Sequence, residues 1–546
     1  MNNEEKLKEL VEAVIQKVYG IAEKGLVLIE VPKNRAYGDY ATPVAMQLAG
    51  LVHKAPRAIA EELQEDLIAH QDLVKTVEIA GPGFINFRLQ ADSLGDVINR
   101  VLQSGARYGW NDSGKRQSVL VEYVSANPTG DLHLGHARGA VWGDAICRLY
   151  RASNYDVLRE YYINDAGAQM ENLALSVYAR YAQALGVEGV ELPEDGYYGE
   201  DVIAIGQRLA EEEGDRWLHE EEGRLAHFKA RGYEIELLKI KEDLQRFRCE
   251  FDSWISEQSL YDKGWVEEVL HKLELTGAVY EEEGALWLAT SRWGDDKDRV
   301  LRKANGKLTY LTPDIANHLY KLERGYEKLV DLWGGDHHGY VARMKAALQA
   351  LGQKPDALEV DLIQMIHLLE DGKEIKMSKR SGKAVTLREL CDDVGVDVAR
   401  YFFVSRAVES QMDFDLDLAR KQSNENPVYY IQYAHARICG VLRQAPPFKP
   451  QEAFTRLNEA RAVDLLKLMD DYPALVAQAA QERKPHRICN FLMQMATAFH
   501  SFYGAAKVID PDDPDLSNER IGLLLAVRQV LENALWLIGV SAPEQM

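Results

Sequence analysis

A strand, a turn, a helix and a second strand follow one another between residues 118 and 163, and this succession constrains the fold more than any other feature. The segment SVLVEYVSA is apolar and β-branched, which is typical of a strand. The turn Asn127-Pro128-Thr129-Gly130 follows, and HLGHARGAVWGDAICRLYRASNY then carries apolar residues on one face of a predicted helix. The segment DVLREYYIND predicts the next strand. Strands joined through a helix run parallel, so we predict an α/β domain with a parallel sheet.

The 546 residues are too many for one ordinary domain, and roughly three to four domains are expected. Residues 1–112 have the patterns of a small α/β domain. Residues 113–420 contain the parallel sheet, interrupted by a polar, acidic and helix-like insertion at about 170–285. From 421 to 546 the pattern is helical throughout, with prolines between the helices, which predicts an all-α domain.

Further strand patterns lie on both sides of the predicted insertion. In the first domain, alternation in KTVEIAGPGFINFRL predicts a strand pair joined by the turn Gly81-Pro82-Gly83. After the insertion, strand patterns return in GALWLAT, KLTYLT, EKLVDLWGG and VDLIQMIHLL. We interpret these four segments as strands of one α/β sheet, the sheet that begins at Ser118.

Composition excludes several classes of protein. No stretch approaches the roughly 20 apolar residues that span a bilayer, so no membrane partner is predicted. The acidic, amphipathic N-terminus lacks the features of a signal peptide, which favours a cytoplasmic location. The five cysteines are far apart and form no CxxC pair, so they predict buried thiols and no structural zinc.

The formal net charge of −22 argues, taken alone, against binding to nucleic acid. Residues 186–224 hold 13 acidic and 3 basic residues, however, so much of the acidity is a local run, typical of a solvated surface. Residues 421–546 are close to neutral, with 13 Lys and Arg and 14 Asp and Glu. The charge therefore neither excludes nor predicts an RNA partner.

The motif His133-Leu134-Gly135-His136 lies directly after a predicted strand and at the start of a helix. Unpaired backbone N–H groups and the helix dipole favour anions at such a position. Gly135 removes a side chain where a planar base could approach, and the two imidazoles could donate hydrogen bonds to a phosphate. Two alternatives remain open. The pair could be half of a metal site completed by His337 and His338, or two ordinary histidines.

The second motif is Lys376-Met377-Ser378-Lys379, which follows the predicted strand VDLIQMIHLL. A segment with several cations and small residues suits a triphosphate, because ammonium groups act as point charges that can strengthen their contacts as the transition state forms. The alternative is a solvated basic loop. A particular string of four residues occurs by chance about 0.003 times in a chain of this length, so the motif is specific.

Together, HLGH and KMSK resemble the two signatures of class I aminoacyl-tRNA synthetases. Longer strings, among them VEYVSANPTGDLHLGHARGA, REYYINDAGAQ, LWGGDHHGYVARMKAAL and NENPVYYIQYAHARIC, resemble the arginyl-tRNA synthetases, and the matches cover most of the chain. The resemblance implies a Rossmann-like catalytic domain, a small N-terminal domain that contacts the tRNA elbow, and a helical domain that binds the anticodon. It also implies an arginine–tRNA ligase that uses ATP with substrate-associated Mg²⁺ and acts as a monomer.

The resemblance assigns four residues to arginine: Glu122, Asn127, Tyr310 and Asp314. It implies that Glu122 and Asn127 hold the α-amino end or orient the pocket, that Asp314 pairs with the guanidinium, and that Tyr310 packs over the guanidinium or hydrogen-bonds with it. Sequence alone leaves alternatives open. A buried Glu122 could pair with an Arg or Lys of the protein, Tyr310 could be a strand aromatic, and Asp314 could cap a helix.

The resemblance also places the nucleotide. It implies that Asp336 and His337 lie beside the adenosine, and it assigns ATP to His133, Gly135, His136 and the four residues of KMSK. Some members of the family lack an intact KMSK and carry a lysine just before the first motif. This chain has Gly130-Asp131-Leu132 there, so Lys376 and Lys379 are expected to contact the phosphates.

In the helical domain, aromatic and basic residues are interleaved, which suits unstacked bases of RNA. These residues are Tyr429, Tyr430, Tyr433, His435 and Arg437, to which the resemblance at the C-terminus adds Met546. Helix packing is the alternative for each of them.

Three alternatives for the whole chain are a synthetase for another amino acid, a small ATP-dependent ligase, and a synthetase-like RNA-binding protein. The helical domain disfavours the second, and both intact motifs disfavour the third.

Overall fold

The computed structural model describes residues 3–23, 25–32, 37–375 and 385–546. The first part of the chain contains α1 (Asn3–Tyr19), β1 (Tyr40–Thr42), α2 (Val44–Val52), α3 (Pro56–Ile68), β2 (Val74–Ala80), β3 (Phe84–Leu89) and α4 (Ala91–Ser104). The strands form an antiparallel sheet in the order β1-β3-β2, and the predicted strand pair is confirmed. In its turn, Gly83 has a φ of 141°, and a Cβ there would lie 2.9 Å from the carbonyl carbon of Pro56, so the contact with α3 requires glycine.

The middle of the chain alternates strands and helices. They are β4 (Ser118–Glu122), α5 (Leu134–Ala152), β5 (Asp156–Ile163), α6 (Ala168–Ala184), α7 (Glu200–Glu213), α8 (Arg216–His219), α9 (Arg224–Arg246), β6 (Ser253–Ser256), α10 (Glu257–Asp262), α11 (Trp265–Leu275), β7 (Val279–Glu282), β8 (Ala285–Leu288), β9 (Arg299–Arg302), α12 (Leu311–Glu323), β10 (Lys328–Gly334), α13 (His338–Ala350), β11 (Leu358–Ile363), β12 (Ile366–Glu370), β13 (Lys373–Glu374), α14 (Leu387–Val394), α15 (Val396–Val404), β14 (Met412–Asp415) and α16 (Leu416–Arg420).

Five parallel strands form the central sheet, in the order β11-β10-β4-β5-β6. The unit predicted from residues 118–163 is confirmed as β4, α5 and β5. Val119, Leu120 and Val121 are completely buried, as expected for a parallel strand that is covered on both faces. The connection after β4 leads to one side of the sheet and the connection after β10 leads to the other. The carboxyl ends of these two neighbouring strands therefore form the edge where open α/β sheets bind ligands.

The prediction that four later segments belong to one sheet is confirmed for EKLVDLWGG, which contains β10, and is wrong for parts or all of the other three. GALWLAT contains β8, which belongs to the separate antiparallel sheet β7-β8-β9. VDLIQMIHLL is divided between β11 in the central sheet and β12, which pairs with β13 and β14. KLTYLT is not a strand: Leu308 forms one isolated bridge with Arg302, and α12 begins at Leu311. Pro313 and Asp314 in the first turn favour this helix start, because Pro lacks an N–H and Asp favours the positive helix end.

The helical predictions for the insertion and the C-terminal part are confirmed in their element type. Helices α6 to α9 pack around a core of their own, which includes Leu173, Val177 and Phe228. The edge strand β6, however, lies within the interval of about 170–285 that was predicted as insertion. The last part of the chain contains α17 (Pro427–Gln444), α18 (Ala460–Gln481), α19 (His486–Ala505) and α20 (Pro514–Leu537). Among the described residues, no helix is both long enough and apolar enough to cross a membrane.

A buried guanidinium joins the middle and the last part of the chain. Arg400 in α15 is completely buried and forms an ion pair with Asp144 of α5. It also donates hydrogen bonds to the carbonyl oxygens of Phe247 (2.6 Å) and Ile538 (3.1 Å). Gly539 follows directly with a φ of 67°, and a Cβ there would lie 2.1 Å from Nη2 of Arg400. The end of α20 is thereby fixed to the parallel-sheet domain.

Candidate active site

The motif His133-Leu134-Gly135-His136 forms the start of α5 at the carboxyl end of β4. His133 is the N-cap residue, and its Nδ1 accepts a hydrogen bond from the backbone N–H of Gly135 (3.1 Å). The backbone N–H of His133 donates in turn to Nδ1 of His136 (3.3 Å), and the two rings stack with centroids 3.8 Å apart. Because both Nδ1 atoms accept hydrogen bonds, we assign the ring proton of each imidazole to Nε2.

Both histidines are neutral at physiological pH. Burial lowers the pKa of His133, and burial together with the neighbouring His133 lowers the pKa of His136 to about 3. Each ring can therefore offer an Nε2–H donor without carrying a charge. At Gly135, a Cβ would lie 3.0 Å from Cε1 of His133, so the absence of a side chain preserves the stacked pair. The motif supplies neutral donors at a helix N-terminus, which suits a phosphate.

The turn Gly335-Asp336-His337 follows β10 and faces the same edge of the sheet. It is a short 3-10 helix, and His338 begins α13. The side chains of Asp336 and His337 are largely exposed and pair with each other, with Nδ1 and Oδ1 3.1 Å apart. Because β10 and β4 are neighbours, the structure brings this turn and the HLGH motif to adjacent strand ends.

Lys376, Met377, Ser378 and Lys379 lie outside the described residues, so their contacts with a nucleotide stay a prediction. The chain that follows them lies beside the first motif. Thr386 forms an isolated bridge with His133, and the backbone N–H of Leu387 donates to the carbonyl oxygen of Leu132 (2.7 Å).

Two acidic side chains without a basic partner form the next part of the site. Asp314 lies in the first turn of α12, and its carboxylate accepts a hydrogen bond from the hydroxyl of Tyr340. Glu257 begins α10 directly after β6 and is buried. Within residues 3–23, 25–32, 37–375 and 385–546, neither carboxylate forms an ion pair with Lys, Arg or His. The protein therefore leaves two acidic side chains available here to a cation.

Burial shifts the pKa of both acids upwards. Burial raises the pKa of Asp314. Burial raises the pKa of Glu257 to about 7; the hydroxyl of Tyr162 opposes this shift, and the charges of Asp314 and Asp165 add to it. A guanidinium between the two acids would reverse these shifts, since it would favour both charged forms.

The four residues predicted for arginine are found in different surroundings. Tyr310 is the N-cap residue of α12, one turn before Asp314, and its side chain is 79% exposed. Asn127 donates from Nδ2 to Oε1 of the exposed Gln169 (2.7 Å). Glu122 ends β4 and is buried. The ring of Tyr310 is thus free to cover whatever binds at Asp314.

A lysine of the protein lies beside Glu122. This agrees with the alternative, left open by the sequence, that a buried Glu122 pairs with an Arg or Lys of the protein. The Nζ of Lys321 is 2.5 Å from Oε2 of Glu122. The same oxygen accepts a hydrogen bond from Nδ2 of Asn317 (3.2 Å), and Oε1 accepts one from the hydroxyl of Ser125 (3.0 Å). Both oxygens of Glu122 are therefore held by the protein.

Sequence reasoning missed Glu257, Tyr162 and Tyr340. Tyr162 lies near the carboxyl end of β5, and Glu257 directly follows β6, so both occupy strand ends at the ligand edge. That position was the available signal, but it required recognising β6 within a helical stretch of the sequence. Tyr340 lies within GGDHHGY and could have been found there.

In the helical part, several of the residues predicted for tRNA line one groove. Tyr433, Arg437 and Met546 line a cavity of about 440 Å³ together with Tyr503. The guanidinium carbon of Arg437 lies 4.5 Å from the ring centroid of Tyr433, on which Tyr429 stacks at 6.1 Å. His435 and Tyr430 show the packing alternative instead. His435 is buried between Glu532 and the carbonyl oxygen of Pro543, and Tyr430 packs against His500.

The alternative that His133 and His136 form a metal site with His337 and His338 is not supported by the described residues. In the part of the chain that the structure describes, no group of three or more His, Cys, Asp and Glu side chains is arranged to hold a metal ion. The five cysteines are all buried and unpaired.

Comparisons with known proteins match all three parts of the chain. A family model described as the catalytic domain of class I (R) tRNA synthetases matches residues 97–403. Models described as the arginyl tRNA synthetase N terminal domain and the DALR anticodon binding domain match residues 5–89 and 431–546. The chain is 53% identical to the arginine–tRNA ligase of Bacillus subtilis over 99% of this chain and 98% of that protein. It is also 53% identical to the arginine–tRNA ligase of Geobacillus kaustophilus, over 99% of both.

A solved structure has the same fold at low identity. The arginyl-tRNA synthetase of Thermus thermophilus superimposes with a TM-score of 0.76 over 100% of both chains, at 22% sequence identity. The parallel sheet, the histidine motif at its ligand edge and the matched catalytic domain define a class I aminoacyl-tRNA synthetase. Within that class, the chain belongs to the arginyl-tRNA synthetase family, as the match of its N-terminal domain and the full-length relatives show.

Proposed function

We propose that this chain joins arginine to tRNA in two steps, using the residues described above. In the first step, the carboxylate of arginine attacks the α-phosphate of ATP and pyrophosphate leaves, which yields arginyl-adenylate. In the second step, a ribose hydroxyl of the terminal adenosine of tRNA attacks the acyl carbon and AMP leaves. The pair Asp314 and Glu257 carries the assignment of the substrate, because two buried acids that lack a cationic partner among the described residues favour a cationic ligand.

Asp314 and Glu257 bind the guanidinium of arginine. A guanidinium has five N–H donors in a plane and can satisfy two carboxylates at once, whereas a lysine ammonium is a point charge. The Tyr340 hydroxyl orients Asp314, and the exposed ring of Tyr310 covers the guanidinium plane. A neutral side chain would leave both acids buried without compensation, which costs several kcal/mol.

Glu122 and Asn127 face the α-amino end of the substrate. Glu122 shares Lys321 with a second carboxylate, Asp331, which His318 also contacts. Of the two carboxylates, Glu122 is the less buried, and it lies at the carboxyl end of β4, beside the HLGH segment. Glu122 is therefore the carboxylate of this pair that faces the substrate ammonium.

The nucleotide binds between the ends of β4 and β10. The Nε2–H groups of His133 and His136 donate to the phosphates, and Gly135 lets the base approach the backbone. Asp336 and His337 bind the adenosine. Lys376 and Lys379 neutralise the triphosphate, Met377 and Ser378 of the same motif bind ATP with them, and Mg²⁺ enters with ATP as part of the substrate.

The groove of Tyr433, Arg437 and Met546 receives unstacked bases of tRNA, because it combines stacking surfaces with a cation. The small N-terminal domain contacts the elbow of the same tRNA, and residues 1–112, 113–420 and 421–546 act as its three domains. We further propose that the chain works as a monomer in the cytoplasm, a reducing compartment that suits five unpaired thiols.

ATP–pyrophosphate exchange tests this function when it is measured with each of the twenty amino acids, with and without total tRNA. Exchange with arginine alone, together with esterification of tRNA, is the expected result. Exchange with a different amino acid would reject the assignment of the substrate. Loss of exchange and esterification under every condition would favour a protein that only binds RNA.

A further inference from the structure

Three acidic residues form a row across three neighbouring strands of the central sheet. Asp331 of β10 is in register with Glu122 of β4, which is in register with Glu160 of β5. Asp331 and Glu160 are 0% exposed and Glu122 is 8% exposed. In parallel strands, residues in register point to the same face, so this acid row lies under whichever element covers that face.

Helix α12 and its C-cap residue Arg324 cover the acid row with three basic side chains spaced three residues apart. The Nε2 of His318 is 2.7 Å from Asp331, and the Nη2 of Arg324 is 2.5 Å from Glu160. Lys321 lies between them and contacts two acids at once: Glu122 at 2.5 Å and Asp331 at 3.2 Å. Residues three apart share one face of a helix, so the three bases match the three strands.

The same helix carries Asp314. Nδ1 of His318 donates a hydrogen bond to the carbonyl oxygen of Asp314 (2.7 Å), since a carbonyl oxygen can only accept. The side chain of Asn317 donates to Glu122 from the same face (3.2 Å). The contacts that hold α12 on the acid row therefore also set the distance between Asp314 and Glu122.

Lys321 is charged although it is completely buried. Burial alone would lower the pKa of its ammonium, but Asp331, Glu122 and Glu160 raise that pKa. Buried ion pairs are weak contributors to net stability, and well-packed apolar residues often replace them without loss. A charge at this position is thus better explained by the geometry that it imposes than by stability.

We propose that Lys321 is a positioning residue for arginine, which fixes Glu122 and, through α12, Asp314 at the separation that one arginine molecule spans. Lys321 does not touch the substrate. It determines where the two ends of the binding site lie. This inference rests on the proposed binding of arginine to Asp314 and Glu122.

The double variant Lys321→Met/Asp331→Asn tests the inference. It removes one positive and one negative charge, so the net charge is unchanged. Glu122 loses its ammonium partner but keeps the hydrogen bonds from Asn317 and Ser125. The matched control is Arg324→Met/Glu160→Gln, which removes one base and one acid from the far end of the same row.

We measure the KM values for arginine and ATP in pyrophosphate exchange, together with thermal unfolding. The expected result is a rise of about tenfold or more in the KM for arginine, about 1.4 kcal/mol, with the KM for ATP unchanged. The control leaves both values unchanged.

Three results would overturn the inference. The KM for arginine could stay unchanged in the folded double variant, or the KM for ATP could rise equally, or the control could raise the KM for arginine as much. Lys321→Gln, whose amide can still donate to Glu122, serves as a second variant. If neither variant folds while the control does, Lys321 is needed for folding, and the inference is equally overturned. If the unaltered protein fails to activate arginine, the proposed function itself fails instead.

Discussion

Two groups of buried carboxylates lie beside α12 and behave differently. The acid row of Asp331, Glu122 and Glu160 has basic partners within the protein, contributed by α12 and by Arg324 directly after it. Asp314 and Glu257 have no basic partner among the described residues, and burial raises the pKa of each. Acids that are paired with basic residues of the protein stabilise the fold. Acids without such a partner can bind a cationic ligand.

The difference has one physical cause. A carboxylate removed from water loses hydration, and a cation must compensate for that loss. When the compensating cation belongs to the protein, the compensation is permanent and the position is structural. When it belongs to the substrate, the folded protein carries the cost until the substrate binds, and the position is functional. Removing a basic partner from the first group should therefore harm folding, and should harm arginine binding only through the position of Glu122. Removing an acid of the second group should harm arginine binding directly.

The largest expected effect is on stability in the acid row. Lys321→Met leaves Glu122 and Asp331 without their shared ammonium and should lower the free energy of unfolding by about 3–5 kcal/mol. Thermal or urea unfolding of the variant measures this. Lys263→Met provides the matched control, because Lys263 makes only a distant contact with the ring of Tyr320 (5.8 Å). An unchanged unfolding midpoint in Lys321→Met would remove the distinction between the two groups.

The next effect is on substrate binding at the unpaired acids. Asp314→Asn removes the charge that faces the guanidinium and should lower kcat/KM for arginine about 100-fold, or about 2.7 kcal/mol. The KM for ATP should not change. Pyrophosphate exchange at varied arginine measures both, with the exposed Asp356→Asn as control. If Asp314→Asn chiefly lowered the unfolding midpoint and spared arginine, Asp314 would belong with the scaffold.

A third effect depends on pH. Only ionised Glu257 attracts a guanidinium, and its pKa is raised to about 7, so the KM for arginine should fall as the pH rises through 7. Between pH 6 and pH 8 the ionised fraction changes about tenfold, and the KM should change by a similar factor. Glu257→Gln should raise the KM at pH 8 and flatten the profile. A profile that is identical in Glu257→Gln would assign the titration to another group.

The smallest effect sharpens the comparison, because it has the opposite sign in the two groups. The folded-state pKa of Glu257 lies above its unfolded value, so the free protein loses stability as the pH rises from about 4.5 through 7. Glu257→Gln should therefore stabilise the free protein at pH 8 by roughly 1–2 kcal/mol and have no such effect at pH 4.5. Unfolding midpoints at both pH values decide this. Destabilisation at pH 8 would mean that Glu257 has an unrecognised partner.

The sequence predicted those parts of the fold that depend on local patterns. The unit β4, α5 and β5 was predictable because apolar periodicity and the Asn127–Gly130 turn lie within one continuous stretch. The same criterion failed at KLTYLT, where β-branched and aromatic residues predicted a strand. There the start of α12 at Leu311 prevailed over the propensity of the preceding residues.

The site was predictable only as far as its motifs. Lys321 reads in sequence as one of many lysines on an amphipathic helix, and only the packing of α12 on the sheet shows that it is completely buried. Glu257 follows a four-residue edge strand that lies about ninety residues after β5, so no local pattern connects it with Asp314. The expectation that a buried Glu122 requires a cation was sound because it rests on the energetics of burial.

The contacts of the Arg400 guanidinium set an order of folding during synthesis of the chain. A ribosome delivers Asp144, Phe247 and Arg400 long before it delivers Ile538, whose carbonyl oxygen is the last acceptor that Arg400 needs. The nascent catalytic unit is thus incomplete until Ile538 has been translated. Nascent chains stalled after residue 530 should accordingly be cleaved by protease near Arg400 much faster than finished ones, and equal resistance would refute this order.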